Sequence, residues 1–373
     1  MKIGSQKTNR GIAMIIVMVV VFVLGIMAAG FAYSMKVEMR LAQQASYESE
    51  FEWLGRSGVE LARCVLVEQF KNRAAEPYDA LNQKWAGGEG GTNVLPEIFF
   101  EDVELGNGRI SITIEDAERK FNVNRSTPPT LVPEILNRTM IYVGVDASEA
   151  SVISDSIQDW IDPDQDERVS GAESKYYLQQ EPPYEAKNGP MADITEMLLI
   201  KGIQENPAIF WGSNSTNYVP GAFMTRGPGF RERPQPVYTV GLNDLFTTVS
   251  MGRVNGNTAS AHVLQMILGD TNAVSLLLQR RQGQDGQDGT ADDMPFRSVG
   301  EISSILNGIA DPAFINQVFG VNSFVFEVNV TCEIGGLKRD YVALIHRINQ
   351  RDINILYLYW KRPHKSSGDA TGT

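Results

Sequence analysis

The longest uninterrupted pattern in the chain is an uncharged apolar stretch close to the N-terminus. Residues 12–35 are 24 successive residues without a charge, and the short segment before them carries Lys2, Lys7 and Arg10 but no acid. A helix of this length is sufficient to cross a hydrocarbon core about 30 Å thick. The preceding cations favour a cytoplasmic position for that end. The pattern predicts a single-pass anchor in the inner membrane with the bulk of the chain in the periplasm.

The residues around the start of this stretch leave two interpretations open. The apolar run is too long for an ordinary secretory signal, and no small-x-small cleavage site precedes Lys36, so it is expected to be retained. It is either a plain signal anchor or a type IV prepilin-like segment. In the second case cleavage follows Gly11 and leaves Ile12 as the mature N-terminus.

Ile16 stands at the fifth position of that expected mature chain. Type IV pilins usually carry Glu there, where it pairs with the terminal amine of a neighbouring subunit. A buried carboxylate without such a partner would be costly in an apolar bundle. Ile16 therefore favours a subunit at the tip of a filament, with no neighbour packed above it.

Beyond the apolar stretch, residues 36–71 contain no proline and continue the helical pattern. Apolar or small residues recur every three or four positions and predict one apolar stripe. The stripe faces either the chain's own globular domain or a helix of another subunit. Its members are Phe51, Leu54, Gly58, Leu61 and Val65.

Strand patterns are confined to two distant parts of the chain. Residues 109–115 alternate isoleucine with polar residues, and comparable segments return only at 323–333, 340–349 and 353–360. The pair Gly335-Gly336 predicts a hairpin turn. Roughly 200 intervening residues are helical or loop-rich. Helices are predicted around residues 131–138, 148–160, 194–200, 259–268, 274–280 and 298–306.

These patterns predict an α+β fold in which a large all-α domain is inserted between the strands of a smaller domain. Asp193 or Thr195, and Thr258 or Ser260, are candidate helix N-caps. Residues 87–91 and 219–235 are predicted loops because they are rich in Gly, or in Pro and Gly. The predicted units are a leader at 1–11, a transmembrane helix at 12–35, the first part of the α+β domain at 36–121, the inserted domain at 122–320, the last strands at 321–361 and a disordered tail at 362–373.

The charge of the chain argues against nucleic acid as a partner. The 373 residues include 33 basic and 45 acidic side chains, a net charge of −12, and loss of the leader would remove three cations. Residues 122–320 hold 13 basic and 24 acidic side chains, so a phosphate backbone would be repelled. Residues 196–203 and 254–261 look like pieces of helix-hairpin-helix modules. They are expected to be packing units. The alternative is that the protein is a DNA-uptake or type IV pilus minor pilin, in which these modules would bind DNA.

An acidic loop at residues 162–173 has the ligand spacing of an EF-hand calcium loop. Glu167 stands where such loops need Gly, so a calcium-ordered loop is favoured over a complete helix-loop-helix hand; a solvated acidic turn is the alternative. The predicted ligands are the side chains of Asp162, Asp164, Asp166, Ser170 and Glu173 and the backbone carbonyl of Arg168.

A second acidic loop has glycines that would let the backbone wrap around an ion. Its spacing matches no single template, and a flexible hydrophilic loop is equally compatible with it. One or two calcium ions are therefore predicted in all. The second set of candidate ligands is Asp285, Asp288, Asp292 and Asp293.

Motifs for catalysis are missing from the sequence. It contains no GxSxG, HExxH or phosphate-binding loop, and its three histidines lie far apart. We therefore predict a protein that is not an enzyme. The two cysteines, Cys64 and Cys332, could form a disulfide in an oxidising compartment or remain two buried thiols.

Several local motifs resemble those of minor pseudopilin K of type II secretion systems, also called general secretion pathway protein K. They join the prepilin-like start and Ile16 as grounds for the resemblance, which covers nearly the whole chain. The motifs are Asp159-Trp160-Ile161-Asp162, Ser170-Gly171-Ala172-Glu173, Tyr176-Tyr177, Pro182-Pro183-Tyr184, Lys187-Asn188-Gly189-Pro190 and Asn257-Thr258-Ala259-Ser260-Ala261.

The resemblance implies a long N-terminal helix, a pseudopilin α+β domain and a large inserted domain of the helix-hairpin-helix or SAM-like kind. Members bind calcium in the inserted domain and cap the pseudopilus together with minor pseudopilins I and J. The expected role is structural, in the export of folded proteins across the outer membrane. The resemblance also implies contact with shaft subunits, and cleavage and N-methylation by the prepilin peptidase.

Overall fold

A computed structural model describes residues 10–89, 100–125, 131–212 and 238–361 of the chain. Several predicted segments lie outside these ranges. They are most of the leader at 1–11, the end of the glycine-rich loop at 87–91, the Pro- and Gly-rich loop at 219–235 and the tail at 362–373.

The N-terminal segment forms one helix, α1 (Arg10–Lys71), without interruption. At about 1.5 Å per residue, its 62 residues extend over about 93 Å. Large apolar side chains from Met14 to Leu41 are exposed, and this part of the helix is long and apolar enough to cross a membrane. The prediction of a long N-terminal apolar helix is confirmed.

A five-stranded antiparallel sheet consists, in spatial order, of β1 (Val103–Leu105), β2 (Gly108–Asp116), β7 (Val325–Ile334), β8 (Leu337–Arg347) and β9 (Ile353–Lys361). Strand β2 pairs with β7 through partners such as Ile112 and Val330, although about 200 residues separate them in the chain. Gly335 and Gly336, both with positive φ, join β7 to β8 as the predicted hairpin turn.

The second half of α1 packs against one face of this sheet. Phe51, Leu54 and Val65 of the predicted stripe are buried there together with the isoleucines of β2. A Cβ atom at Gly58 would lie 2.5 Å from Cγ1 of Val330, so glycine permits the close approach of helix and sheet. In this part of the chain the stripe contacts the chain's own domain.

The segment between β2 and β7 contains most of the helices and a second hydrophobic core. Its helices are α2 (Leu131–Val143), α3 (Ala147–Ile161), α4 (Ser174–Tyr177), α5 (Ala208–Trp211), α6 (Leu242–Leu245), α7 (Ala261–Leu268), α8 (Thr271–Arg281), α9 (Val299–Ile305) and α10 (Pro312–Val318). Ser260 caps α7 by accepting a hydrogen bond from the N–H of Val263, as predicted.

Two features of this segment differ from the predictions. It is not purely helical, because β3 (Phe121–Asn122) pairs with β4 (Phe246–Thr247) and β5 (Val254–Asn255) with β6 (Phe319–Gly320), both in parallel. The predicted helix at 194–200 is a 3-10 helix (Ile194–Leu199), which Asp193 caps. Its i→i+3 bonds suit a short element that turns sharply at Gly202, where φ is 87°. The predicted domain boundaries remain a prediction.

A buried polar network joins the sheet to the helical segment. Arg347 of β8 donates to Asp79 at 2.6 Å, and both side chains are at most 1% exposed. Asp116 at the end of β2 accepts from Ser323, Thr258 and Asn255. Burial raises the pKa of Asp116, and the hydrogen bonds from Ser323 and Thr258 oppose the shift. The network holds the chain where it leaves the sheet and where it returns.

Both cysteines are free thiols in the elements predicted for them. Cys64 is exposed on α1, and Cys332 is buried on β7, so neither open interpretation holds in full. Burial raises the pKa of Cys332 to about 12, and this thiol is therefore unreactive.

Candidate metal site

The first acidic loop begins where α3 ends. Ile153, Ile157 and Trp160 bury one face of this helix and fix its orientation. The residue before a proline avoids the helical region, and Asp162, which precedes Pro163, is extended with ψ of 157°. Its N–H still caps the helix by donating to the carbonyl of Gln158. Asp162 therefore has a fixed position at the start of the loop.

Three of the predicted ligands meet in space. One carboxylate oxygen each from Asp162, Asp164 and Glu173 lie within 4.8 Å of one another. These residues stand at positions one, three and twelve of the loop, so the EF-hand spacing identified a real cluster. Oxygen atoms this close suit a hard cation such as calcium.

Burial makes this cluster chemically unusual. Glu173 is 3% exposed, and neither of its carboxylate oxygens has a hydrogen-bond partner. Oδ1 of Asp162 is also buried without a partner. Burial, followed by the charges of Asp159 and Asp162, raises the pKa of Glu173 to about 7. Buried carboxylates are costly unless paired or bound to a metal, and a cation in this position would satisfy them.

The backbone groups of the other predicted ligands form hydrogen bonds within the protein. Asp166 is exposed, and its N–H donates to Oδ1 of Asp164 at 2.9 Å. The backbone carbonyl of Arg168 accepts from the N–H of Gly171 at 3.1 Å. The N–H of Ser170 donates to Asp155 at 3.1 Å. These bonds shape the loop, and the predicted ligand roles of Asp166, Arg168 and Ser170 stay predictions.

Asp159 and Asn188 contact residues of the loop although the loop template does not include them. Asp159 is fully buried and accepts hydrogen bonds from the backbone and guanidinium of Arg168. The amide nitrogen of Asn188 donates to the carbonyl of Asp164, and its Oδ1 is buried without a partner. Both residues occur in the motifs that carried the family resemblance. Spacing within one loop could not have identified them, since Asn188 lies 24 residues from Asp164.

The second acidic loop is organised differently. Asp288 accepts from the guanidinium of Arg281, Asp292 from the N–H of Gln284, and Asp293 from the N–H of Gly289. Burial raises the pKa of Asp293, and the N–H of Gln284 lowers that of Asp292. Within the described ranges, no three of the four predicted ligands lie as close together as the carboxylates of the first loop.

The hairpin-like segment at residues 254–261 is largely buried in the structure. Asn255, Asn257 and Thr258 are at most 4% exposed. Asn257 donates to the carbonyl of Phe296 and accepts from its N–H. Side chains used in this way are not available to a nucleic-acid backbone.

The residues predicted for processing and placement lie at the start of α1. Gly11 and Ile12 are part of its first turn, and Ile16 is 57% exposed on its surface. The prediction that cleavage follows Gly11 stays a prediction.

A family model described as type II secretion system (T2SS), protein K, matches residues 119–208. This range contains α2, α3, the first acidic loop and the aromatic residues after it. The predicted resemblance is confirmed. The chain is similar to protein K of type II secretion systems in the part that contains the candidate metal site.

Curated relatives support the same similarity. Type II secretion system protein K of Pseudomonas aeruginosa is 27% identical over 205 residues, which cover 52% of this chain and 58% of the relative. A putative protein K of Escherichia coli K12 is 27% identical over 209 residues, which cover 54% and 60%. The chain thus matches less than two thirds of the length of these relatives.

A solved structure extends the likeness to most of the fold. A chain in the crystal structure of the GspK-GspI-GspJ complex from the enterotoxigenic Escherichia coli type 2 secretion system superposes with a TM-score of 0.62. The match covers 87% of this chain and all of the other, at 22% identity. The α+β fold with a long N-terminal helix is confirmed.

Proposed function

We propose that this protein is a minor pseudopilin that ends the pseudopilus of a type II secretion system and has a structural role in the export of folded proteins. The observation that carries the proposal is the match of residues 119–208 to the protein K family model, within a chain that shares its fold with a member of the GspK-GspI-GspJ complex. The partners are then minor pseudopilins I and J and the shaft subunits.

The exposed part of α1 supports the anchoring that this role needs. The helix is long enough to span the inner membrane once and to continue into the sheet domain in the periplasm. Ile16 offers no carboxylate to a neighbouring subunit, which suits the end of a filament. Cleavage after Gly11 and N-methylation by the prepilin peptidase belong to the same proposal.

The role requires a rigid assembly surface and not a catalytic centre. The family model and the relatives name a component of a secretion system. The buried carboxylates of Asp79 and Asp116 belong to the polar network, and that of Glu173 belongs to the candidate metal site. We therefore propose that the protein acts as a structural subunit and not as an enzyme.

Co-purification tests the assembly. The full-length chain, tagged at its C-terminus, is co-expressed in membranes with pseudopilins I and J of the same secretion system and extracted in detergent. We expect the three proteins to elute together at one copy each, and the major shaft pseudopilin alone to be retained poorly. Failure of I and J to elute with the chain, or a filament that contains this chain along its length, would contradict the proposal.

Intact mass tests the processing separately. Co-expression with the prepilin peptidase should yield a chain that begins at Ile12, with a methylated amine. Replacement of Gly11 by a bulky residue should leave residues 1–11 attached. An uncleaved wild-type chain in a working secretion system would contradict this part.

We also propose that the first acidic loop binds one calcium ion through Asp162, Asp164 and Glu173, with Asn188 as a further oxygen donor. The buried, unpartnered oxygens of Asp162, Glu173 and Asn188 support it. The ion would neutralise carboxylates that repel one another and would order the loop between α3 and α4. A second ion in the loop of Asp285, Asp288, Asp292 and Asp293 stays a prediction.

A further inference from the structure

A cation of the protein itself lies against the candidate metal site. Nη1 of Arg168 is 2.5 Å from Oδ2 of Asp162 and 3.0 Å from Oδ1 of Asp159. Oδ1 of the same Asp162 carboxylate has no partner in the protein. One oxygen of Asp162 thus pairs with an internal cation, and the other oxygen of this cluster residue is buried without a partner in the protein.

Asp159 on α3 fixes the position of Arg168. Asp159 is fully buried on α3 and accepts the backbone N–H of Arg168 as well as its guanidinium. A Cβ atom at Gly171 would lie 1.8 Å from Oδ2 of Asp159, so glycine leaves the space in which this carboxylate sits. The arginine is therefore built into the loop and is not a mobile surface side chain.

The other charged groups around the loop have different roles. The ammonium of Lys201 donates to the carbonyl of Gly171 at 2.8 Å and contacts no carboxylate of the cluster. Lys187 pairs with Glu196. Among the described residues, Arg168 is the cation that shares a carboxylate with the cluster.

Electrostatics gives this arrangement two opposite effects. Without a metal ion, the guanidinium offsets the repulsion among the carboxylates and stabilises the loop. With a metal ion, the same positive charge repels the ion and competes for Asp162. A side chain that is 38% exposed is partly screened by solvent, so both effects are moderate.

We propose that Arg168 is an internal counter-cation that weakens calcium binding at this loop while it holds the empty loop in its folded shape. This inference rests on the calcium site proposed above. It makes the side chain of Arg168 a group that sets the affinity of the site. The site would then gain and lose calcium over a range of concentrations in which a loop with uncompensated acids would stay saturated.

The test compares Arg168→Gln with the wild type, as full-length protein in detergent. Arg138→Gln is the matched control, because Arg138 is similarly exposed, at 31%, and pairs with Glu134 on α2, outside the loop. Calcium is titrated by calorimetry at low and high salt, and thermal unfolding is recorded in chelator and in excess calcium. We expect Arg168→Gln to bind calcium about tenfold more tightly. Its unfolding temperature should fall in chelator and recover in calcium.

The outcomes separate this inference from the proposal on which it rests. Wild-type protein that binds calcium, together with an Arg168→Gln variant of equal or lower affinity, would overturn the inference alone. Tighter binding by Arg138→Gln to the same extent would overturn it too, because a general loss of positive charge would then explain the effect. If neither wild type nor Arg168→Gln binds calcium, the calcium site itself is wrong.

Discussion

Both terminal nitrogens of Arg339 on β8 donate to the carboxylate of Glu48 on α1, at 2.8 and 3.1 Å. The guanidinium also lies between two aromatic rings, 5.1 Å from the centroid of Phe51 and 5.2 Å from that of Trp360. This contact is where α1 leaves the sheet and continues towards its exposed apolar half. Arg339 and its three partners therefore hold α1 against the sheet at the end of their contact.

Replacement of Arg339 by Ala should loosen this end of the helix. Each cation–π contact contributes about 0.5–1 kcal/mol at an exposed site, so we expect a loss of about 1–2 kcal/mol in the free energy of unfolding. Amide hydrogen exchange around residues 48–54 should also rise. Lys338→Ala is the control, because Lys338 forms only a surface pair with Glu333. Equal losses in both variants would show that the stacked geometry adds nothing.

Replacement of Gly58 by Ala tests how closely helix and sheet approach. Alanine gains about 1 kcal/mol in helix propensity, but its Cβ would lie 2.5 Å from Cγ1 of Val330, and overpacking costs about 1–3 kcal/mol. We expect net destabilisation in urea unfolding. In a Val330→Ala background, where Cγ1 is absent, Gly58→Ala should cost less stability than it does in the wild type. A stabilised Gly58→Ala variant would mean that propensity outweighs the contact.

Replacement of Asp79 by Asn should be among the most damaging single changes. It leaves the guanidinium of Arg347, which is 0% exposed, without its carboxylate. Breaking a buried pair from one side costs about 3–5 kcal/mol. Glu60→Gln, which breaks a surface pair with Arg63, should cost at most about 1 kcal/mol. Chemical denaturation measures both, and similar costs would show that the buried network is not needed for stability.

Stability should also depend on the ionisation of Glu118. Burial and then the charge of Asp116 raise the pKa of Glu118 to about 8, well above its ordinary value near 4.5. The folded state thus holds this proton more tightly than the unfolded state. The contribution is fully present below the ordinary pKa and is lost as the pH rises through about 8.

Urea unfolding of wild type and Glu118→Gln at pH 5, 6.5 and 9 measures this loss. The variant is neutral throughout, so its stability should fall less over this interval than that of the wild type. Glu115→Gln, at a surface pair with Arg119, should keep the wild-type slope. If the unfolding free energies of wild type and Glu118→Gln fell equally with pH, the loss of stability could not be assigned to Glu118.

Local patterns predicted the elements well and long-range contacts poorly. Alternation at Ile110, Ile112 and Ile114 predicted β2, because a strand with one buried face must alternate. The three-residue strand β1 was missed, since so short a run has no periodicity. The pairing of Ile112 with Val330 could be expected only as part of one sheet, and its register depends on packing against α1.

The candidate site shows the same contrast between local spacing, which was predicted, and contacts with other elements, which were not. The loop spacing identified Asp162, Asp164 and Glu173, because their positions within one turn-forming segment bring them together. It predicted a backbone ligand role for Arg168, which stays a prediction, and gave no sign that the side chain of Arg168 pairs with Asp159 on the preceding helix. Contacts that depend on how α3 packs beneath the loop are not encoded in the spacing of the loop.

Removal of calcium should lower the stability of the wild-type protein. A ligand at one hundred times its dissociation constant stabilises the folded state by about 2.7 kcal/mol, so chelation should lower the unfolding temperature of the wild type measurably.

In Glu173→Gln the buried charge is gone, and the two oxygens without partners become one amide. We expect this variant to be at least as stable as wild type in chelator and to gain nothing from calcium. Glu167→Gln removes an acid of the same loop outside the cluster and should retain the calcium shift. A calcium shift that survives in Glu173→Gln and disappears in Asp292→Asn would move the ion to the second loop.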